Sequence, residues 1–246
     1  MQKKILTIRA LSGLSGDMLL AGLCRMQGLD QAELDALVAT LNLPHLVSGC
    51  VQVKEYSLQH IGGWRAYVDL PHEHAHRSLL DITEIIEKSA MAEKAKKMAL
   101  VTFALLAEAE GKVHGIAPSE VTFHEVGALD SIVDICLGCL LFERLGNPAL
   151  RVSPLPLADG HIACAHGIIP SPAPAVLQLL EGVEVCSFDG VGETVTPTAL
   201  ALLQSWGAVF GAWPHMRVEK TALVYGSKVF EGVANGAVFA SGYGVE

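Results

Sequence analysis

The chain reads as an α/β or α+β protein, a mixed β-sheet flanked by helices. Two observations predict this class. Apolar runs with strand character recur from residue 4 to residue 240, and stretches with helical spacing separate them. The alternation of the two is loose rather than strict, which favours a mixed sheet over a purely parallel one.

Residues 4–9 form the first strand, with Ile5, Leu6 and Ile8 leading into the turn Gly13-Leu14-Ser15-Gly16-Asp17. Residues 18–26 carry a helical pattern. A second amphipathic helix runs to residue 41, with Asp30 as its N-cap. Residues 50–70 read as a hairpin turning at His60-Ile61-Gly62-Gly63. Pro71 ends that strand, and Ser78 is placed to cap a helix beginning at Leu79. A long amphipathic helix covers residues 92–113 and closes at His114-Gly115, because glycine adopts the left-handed conformation that ends helices. A mostly apolar helix spans residues 129–145. The pattern changes after Asn147-Pro148, so one domain over 1–246 and a subdivision near 147–150 both stand open. Residues 152–165 are extended and interrupted by prolines, 175–180 a short helix, 183–188 a strand. Thr196 caps a helix that has Pro197 in its first position and reaches Trp206. Extended runs at 216–224 and 236–240 complete the pattern.

The 246 residues are enough for one large domain or two small ones. Hydrophobic residues make up 51 % and charged residues 17 %, below the roughly 25 % typical of soluble domains. A sizeable core follows, and self-association into a homo-oligomer is expected. The net charge of -9 and the lack of a basic run argue against nucleic acid as a partner. Six scattered cysteines suit free thiols in a reducing compartment. The N-terminus lacks the apolar core of a signal peptide. The most apolar helix, 132–145, is too short to span a bilayer and carries Asp134. A cytoplasmic chain without membrane association is the expectation.

Four groups of residues carry chemistry. His72, His74 and His76 alternate, so in an extended segment three imidazoles share one face, against the plainer reading of a solvated loop. In the stretch 123–135, Asp130 and Asp134 lie four apart on one face of a helix that is otherwise apolar, with His124 and Glu125 just before it. A buried, unpaired carboxylate costs several kcal/mol, so these aspartates call for a cation or donors. Dipole stabilisation in the first turn accounts for Asp130 better than for Asp134. The Gly13–Asp17 turn is open to two readings, an anion site at a helix N-terminus or a tight turn with Asp17 as a first-turn residue. Cys164 and His166 are either soft ligands, a nucleophile and its base, or packing residues. Cys136 and Cys139 have redox spacing but sit inside the apolar helix, which assigns them to the core.

Four segments together resemble one family. They are 12–18 (Ser12-Gly13-Leu14-Ser15-Gly16-Asp17-Met18), 123–134 from Phe123-His124-Glu125 to Asp134, 164–174 from Cys164-Ala165-His166-Gly167 to Pro174, and 193–198 (Glu193-Thr194-Val195-Thr196-Pro197-Thr198). The chain is similar, over nearly its whole length and in order, to the nickel-insertion proteins that complete the nickel-pincer cofactor of lactate racemase, the LarC family. The resemblance implies insertion of nickel into pyridinium-3,5-bisthiocarboxylic acid mononucleotide, with one carbon–nickel and two sulfur–nickel bonds. It implies a C-terminal nucleotide-binding domain beyond this chain that uses CTP with a divalent cation. Lactate racemase apoprotein, or a similar acceptor, would receive the cofactor. A non-catalytic nickel-binding or delivery module is the alternative. A base must take the ring proton, and His124, Glu125 and His166 are the catalytic candidates. Ser15, Gly16, Asp17 and Cys164 are expected to face the organic precursor. The metal candidates are His72, His74, His76, His124, Glu125, Asp130 and Asp134; their chemistry alone leaves zinc as open as nickel.

Overall fold

Local capping sets several helix boundaries in the computed structural model, which describes residues 3–71, 76–123, 126–164 and 167–245, the Cys164 side chain excepted. Strand β1 (Lys4–Ala10) is buried along most of its length. Helix α1 (Gly16–Gln27) ends at Gly28, whose φ of 70° supplies the left-handed cap. Helix α2 (Gln31–Ala39) starts at Asp30, which exchanges hydrogen bonds with Glu33 in a capping box. Strands β2 (Val51–Leu58) and β3 (Ile61–Val68) form an antiparallel hairpin. The two-residue strand β4 (Arg77–Ser78) leads into α3 (Leu79–Lys88), capped by Ser78 as its sequence predicts. Helix α4 (Glu93–His114) closes at Gly115, φ 68°. Strand β5 (Thr122–Phe123) precedes the apolar α5 (Leu129–Arg144). Four short strands follow: β6 (Ala149–Val152), β7 (Leu155–Leu157), β8 (His161–Cys164) and β9 (Gly167–Pro170). Then come α6 (Pro174–Leu179), β10 (Val185–Ser187) and α7 (Pro197–Ser205), the last capped by the Thr196 hydroxyl. Strands β11 (Val209–Phe210), β12 (Met216–Val224) and β13 (Ala237–Gly244) close the fold.

Seven strands make the mixed sheet that the sequence predicts, in the order β11-β6-β1-β13-β12-β3-β2. β1 lies inside it, antiparallel to β13 and parallel to β6. The sheet draws strands from both sides of residues 147–150. β12 and β3 share one ladder pair, Val224 and Trp64, so the β2–β3 hairpin joins the sheet by a narrow ladder.

Helix α1 packs between this sheet and α5. Gly22 permits that approach, since a Cβ there would stand 2.3 Å from the Phe239 ring of β13. The Arg25 guanidinium lies 3.6 Å from the centre of the Trp64 ring and ties α1 to β3. Behind α1, α5 packs on α4 and α7, with Phe142 stacked on Trp206 at 4.6 Å. Burying each such large apolar side chain contributes about 1.5–3 kcal/mol. Among the described residues, no helix is long and apolar enough to cross a membrane.

The hairpin corrects one sequence expectation. Its turn is not His60-Ile61-Gly62-Gly63 but the two residues Gln59 and His60, at φ 49° and 65°, with Leu58 opposite Ile61. Two left-handed residues match the strand twist that a tight hairpin needs. Gly62 and Gly63 instead continue β3, and Gly63 is where Tyr225 and the Leu223 carbonyl press on the strand. The register therefore moves. A turn centred on Ile61-Gly62 sets Lys54 opposite Asp69, whereas the observed ladder sets Lys54 opposite Arg65.

Candidate functional site

Three helices begin at one cleft. The first turns of α1 and α5, the start of α7 and one face of the β2–β3 hairpin enclose about 750 Å³. The turn into α1 is pinned to the segment that enters α7. Leu14 donates its N–H to the Thr194 carbonyl (2.8 Å) and accepts from the Thr196 N–H (3.1 Å). Gly13 makes this possible: its φ is 139°, and a Cβ would collide with the Thr194 carbonyl oxygen.

The turn delivers Ser15, Gly16 and Asp17 to the cleft. The Ser15 hydroxyl donates to Asp17 Oδ1 rather than capping α1. Burial pushes the Asp17 carboxyl above the ordinary carboxylate range, opposed by that hydroxyl, by the Met18 N–H and by the charge of Arg65. Asp130 stands on the exposed rim in the first turn of α5 and accepts from the Ser131 N–H at 2.8 Å. Asp134 follows one turn later. Its Oδ1 is buried and, among the described residues, accepts no hydrogen bond. Its Oδ2 lies against Gly16, where a Cβ would come within 2.5 Å. Burial holds the Asp134 carboxyl well above the ordinary range, and the charges of Asp17 and Asp130 add to the rise. Like charges in a desolvated cleft cannot both ionise cheaply. A divalent cation between them reverses that balance, because it becomes the largest charge in the site.

The cleft thus brings together Ser15, Gly16, Asp17, Asp130 and Asp134 from the residues singled out in the sequence. His76 is exposed and is not among the described residues that line it. His72, His74, His124, Glu125 and His166 lie outside the described residues, as does the Cys164 side chain; the Cys164 backbone ends β8. The β4–β5 ladder sets Arg77 opposite Phe123, the neighbours in sequence of His76 and His124. Arg77 also donates to the Gly127 carbonyl at 2.7 Å. The described residues that flank the two segments, Arg77 and Phe123, therefore meet. Among the described residues, no three His, Cys, Asp or Glu side chains gather in an arrangement that could hold a metal ion. Asp17 and Asp134 supply two carboxylates, so a metal held there needs further ligands. Cys136 and Cys139 are buried in α5, with the Cys139 thiol pushed up to about 12 by burial, which suits packing and not redox chemistry.

Sequence reasoning missed the cations of the cleft. Lys54 and Arg65 line it from the hairpin, and Thr196 and Thr198 from the start of α7. The hairpin register is the signal that finds the first pair, and the misplaced turn hid it.

Fold and cleft define a class: a mixed-sheet α/β protein whose cleft sets paired carboxylates against cations and helix N-termini. The chain belongs to the nickel insertion protein family, whose profile, described as Nickel insertion protein, matches residues 6–239. It is 39 % identical over 218 residues to the pyridinium-3,5-bisthiocarboxylic acid mononucleotide nickel insertion protein of Desulfitobacterium hafniense strain DCB-2, covering 89 % of this chain and 53 % of the relative. It is 34 % identical over 228 residues to the protein of that name from Staphylococcus epidermidis strain ATCC 12228, covering 93 % and 57 %. A Myxococcus xanthus protein named for nickel insertion is 40 % identical over 233 residues, covering 93 % and 58 %. The chain spans a little over half the length of these curated relatives. No solved structure matches it.

Proposed function

We propose that this chain carries the nickel-insertion site, where nickel and pyridinium-3,5-bisthiocarboxylic acid mononucleotide meet in the cleft between α1, α5 and the hairpin. The observation that carries this reading is Asp134 Oδ1, buried and without a partner among the described residues, beside the partly desolvated Asp17. A carboxylate in that state calls for a cation. The relatives' printed names supply the choice of nickel and of the mononucleotide.

Nickel is a substrate here. Asp17 and Asp134 take it on entry, with Ser15 fixing the orientation of Asp17. The remaining ligands come from His124, Glu125 and the His72, His74, His76 segment. The shared anchor of the flanking β4–β5 ladder supports their convergence on the entrance of α5. During insertion the ring carbon–hydrogen bond breaks, the carbon–nickel bond forms, and the proton passes to a base. His124, Glu125 and His166 are the proposed acceptors. Ser15, Gly16 and Cys164 face the precursor. CTP with a divalent cation is assigned to a further C-terminal domain, and the finished cofactor passes to lactate racemase apoprotein or a similar acceptor.

The test combines the chain with nickel, the mononucleotide, CTP with a divalent cation, and the C-terminal part of a full-length relative. The nickel-bearing product is read by mass. Product is expected, falling at least tenfold in Asp134→Asn and Asp17→Asn. Undiminished product in both variants overturns the site. Nickel binding without product from the unaltered chain identifies a delivery module instead.

A further inference from the structure

The hairpin wall of the cleft holds a pair of cations, of which Arg65 also acts through its charge on the Asp17 carboxyl. Lys54 and Arg65 are direct cross-strand partners in the β2–β3 ladder, so both point from one face. That face is the one turned to the cleft, and Gln52 and Tyr67 line it with them. Like charges set directly opposite one another destabilise a hairpin. Among the described residues, neither cation forms a salt bridge that would relieve the repulsion. Asp69 lines the same wall and, among the described residues, forms no salt bridge with either cation.

Arg65 is also held ready. Its guanidinium lies 5.4 Å from the Tyr56 ring centre and 5.2 Å from that of Tyr67, within cation–π range of both rings. Its Nε is buried and, among the described residues, donates to no acceptor. The terminal N–H groups of such a guanidinium are the fork that takes a phosphate or carboxylate. Thr196 and Thr198 bring hydroxyls and the positive end of α7 to the same cleft, and Ser227 a third hydroxyl.

We infer that Arg65 and Lys54, with the start of α7, form the subsite for the phosphate of a mononucleotide, opposing in charge the carboxylate side where Asp17 and Asp134 receive metal. This rests on the nickel-insertion reading and deepens it. A pyridinium mononucleotide is itself divided in charge, with a cationic ring and an anionic phosphate. The cleft has the same division, and its volume of about 750 Å³ is of the size that small-molecule sites occupy. The subsite fixes which end of the substrate faces the metal.

Nicotinic acid mononucleotide and nicotinic acid riboside are the probes, identical apart from the phosphate. Each is titrated calorimetrically into the metal-free chain and into Arg65→Gln and Lys54→Gln. The unaltered chain is expected to bind the mononucleotide at least tenfold more tightly than the riboside. Each variant is expected to lose most of that ratio while its riboside affinity holds and its melting temperature does not fall, since removing one of two facing like charges relieves the hairpin. Lys54→Gln serves where Arg65→Gln fails to fold, because Lys54 is exposed. Variants that keep the full ratio overturn this subsite and leave the nickel reading standing. A chain that binds neither probe, yet binds nickel through Asp134, overturns the pyridinium mononucleotide as the ligand of the cleft.

Discussion

Asp134 rests on Gly16: a Cβ at residue 16 would stand 2.5 Å from Asp134 Oδ2 and 3.1 Å from its Cγ. The first turn of α1 and the second turn of α5 thus touch through a carboxylate and a bare backbone. Nothing larger than hydrogen fits while Asp134 keeps its position.

Gly16→Ala therefore displaces Asp134 or separates α1 from α5. Overpacking of this kind costs about 1–3 kcal/mol. A loss of that size in denaturant unfolding is expected, together with at least tenfold weaker nickel binding. Gly22→Ala provides the contrast. It strikes the Phe239 ring, far from the carboxylates, so a similar stability loss with unchanged nickel affinity is expected. Equal effects of the two variants on nickel binding would show that Gly16 acts only through folding.

The pH dependence of stability follows from Asp134. Its folded-state carboxyl titrates well above the ordinary 3.8, first through burial and then through Asp17 and Asp130. The folded metal-free chain thus holds this proton more tightly than the unfolded chain does. The stability it contributes is complete below pH 3.8 and is lost as pH rises through the raised folded value. Asp17 has the same sign. Asp134→Asn is expected to flatten that decline and to raise the melting temperature at pH 7 by roughly 2–4 °C for each kcal/mol gained. Thermal melts of both proteins from pH 4 to pH 8 check this. A decline of equal slope in both assigns the pH dependence to other groups.

Nickel is expected to reverse the same penalty. At a hundredfold excess over Kd, a ligand that binds only the folded state stabilises it by about 2.7 kcal/mol. That gain is expected in the unaltered chain and absent in Asp134→Asn. An equal gain in both locates the bound nickel elsewhere.

Much of the fold was legible because its signals are local. Asp30, Ser78, Gly115 and Thr196 each act at the helix end they mark, and each does so as its residue type predicts. The hairpin turn was not legible, since the glycines that suggest a turn at 62 and 63 are required by Tyr225 and Leu223, far away in sequence. Strands β4, β5 and β11 have two residues each, too few for a period, and exist only through their partners. In the site, Asp134 was legible because a charge inside an apolar helix stands out. Asp17 was placed with the cofactor, and its electrostatic coupling to Asp134 emerged only with the packing of α1 on α5. Arg65 was invisible for the reason that hid the register.

The thiols give an independent check on what the cleft excludes. Cys136 and Cys139 are fully enclosed in α5, while Cys186 is exposed. A thiol reagent at pH 8 is expected to label Cys186 within seconds to minutes, and Cys136 and Cys139 only on unfolding. Rapid labelling of the α5 pair in the folded chain would return them to the list of reactive groups.

The most direct measurement is anomalous scattering at the nickel absorption edge from a crystal of the chain soaked in nickel. A peak within bonding distance of an Asp134 carboxylate oxygen, about 2.0–2.2 Å for metal–carboxylate contacts, with Asp17 beside it, is the predicted result. A nickel peak elsewhere, with none at Asp134, contradicts the placement of nickel insertion in this cleft.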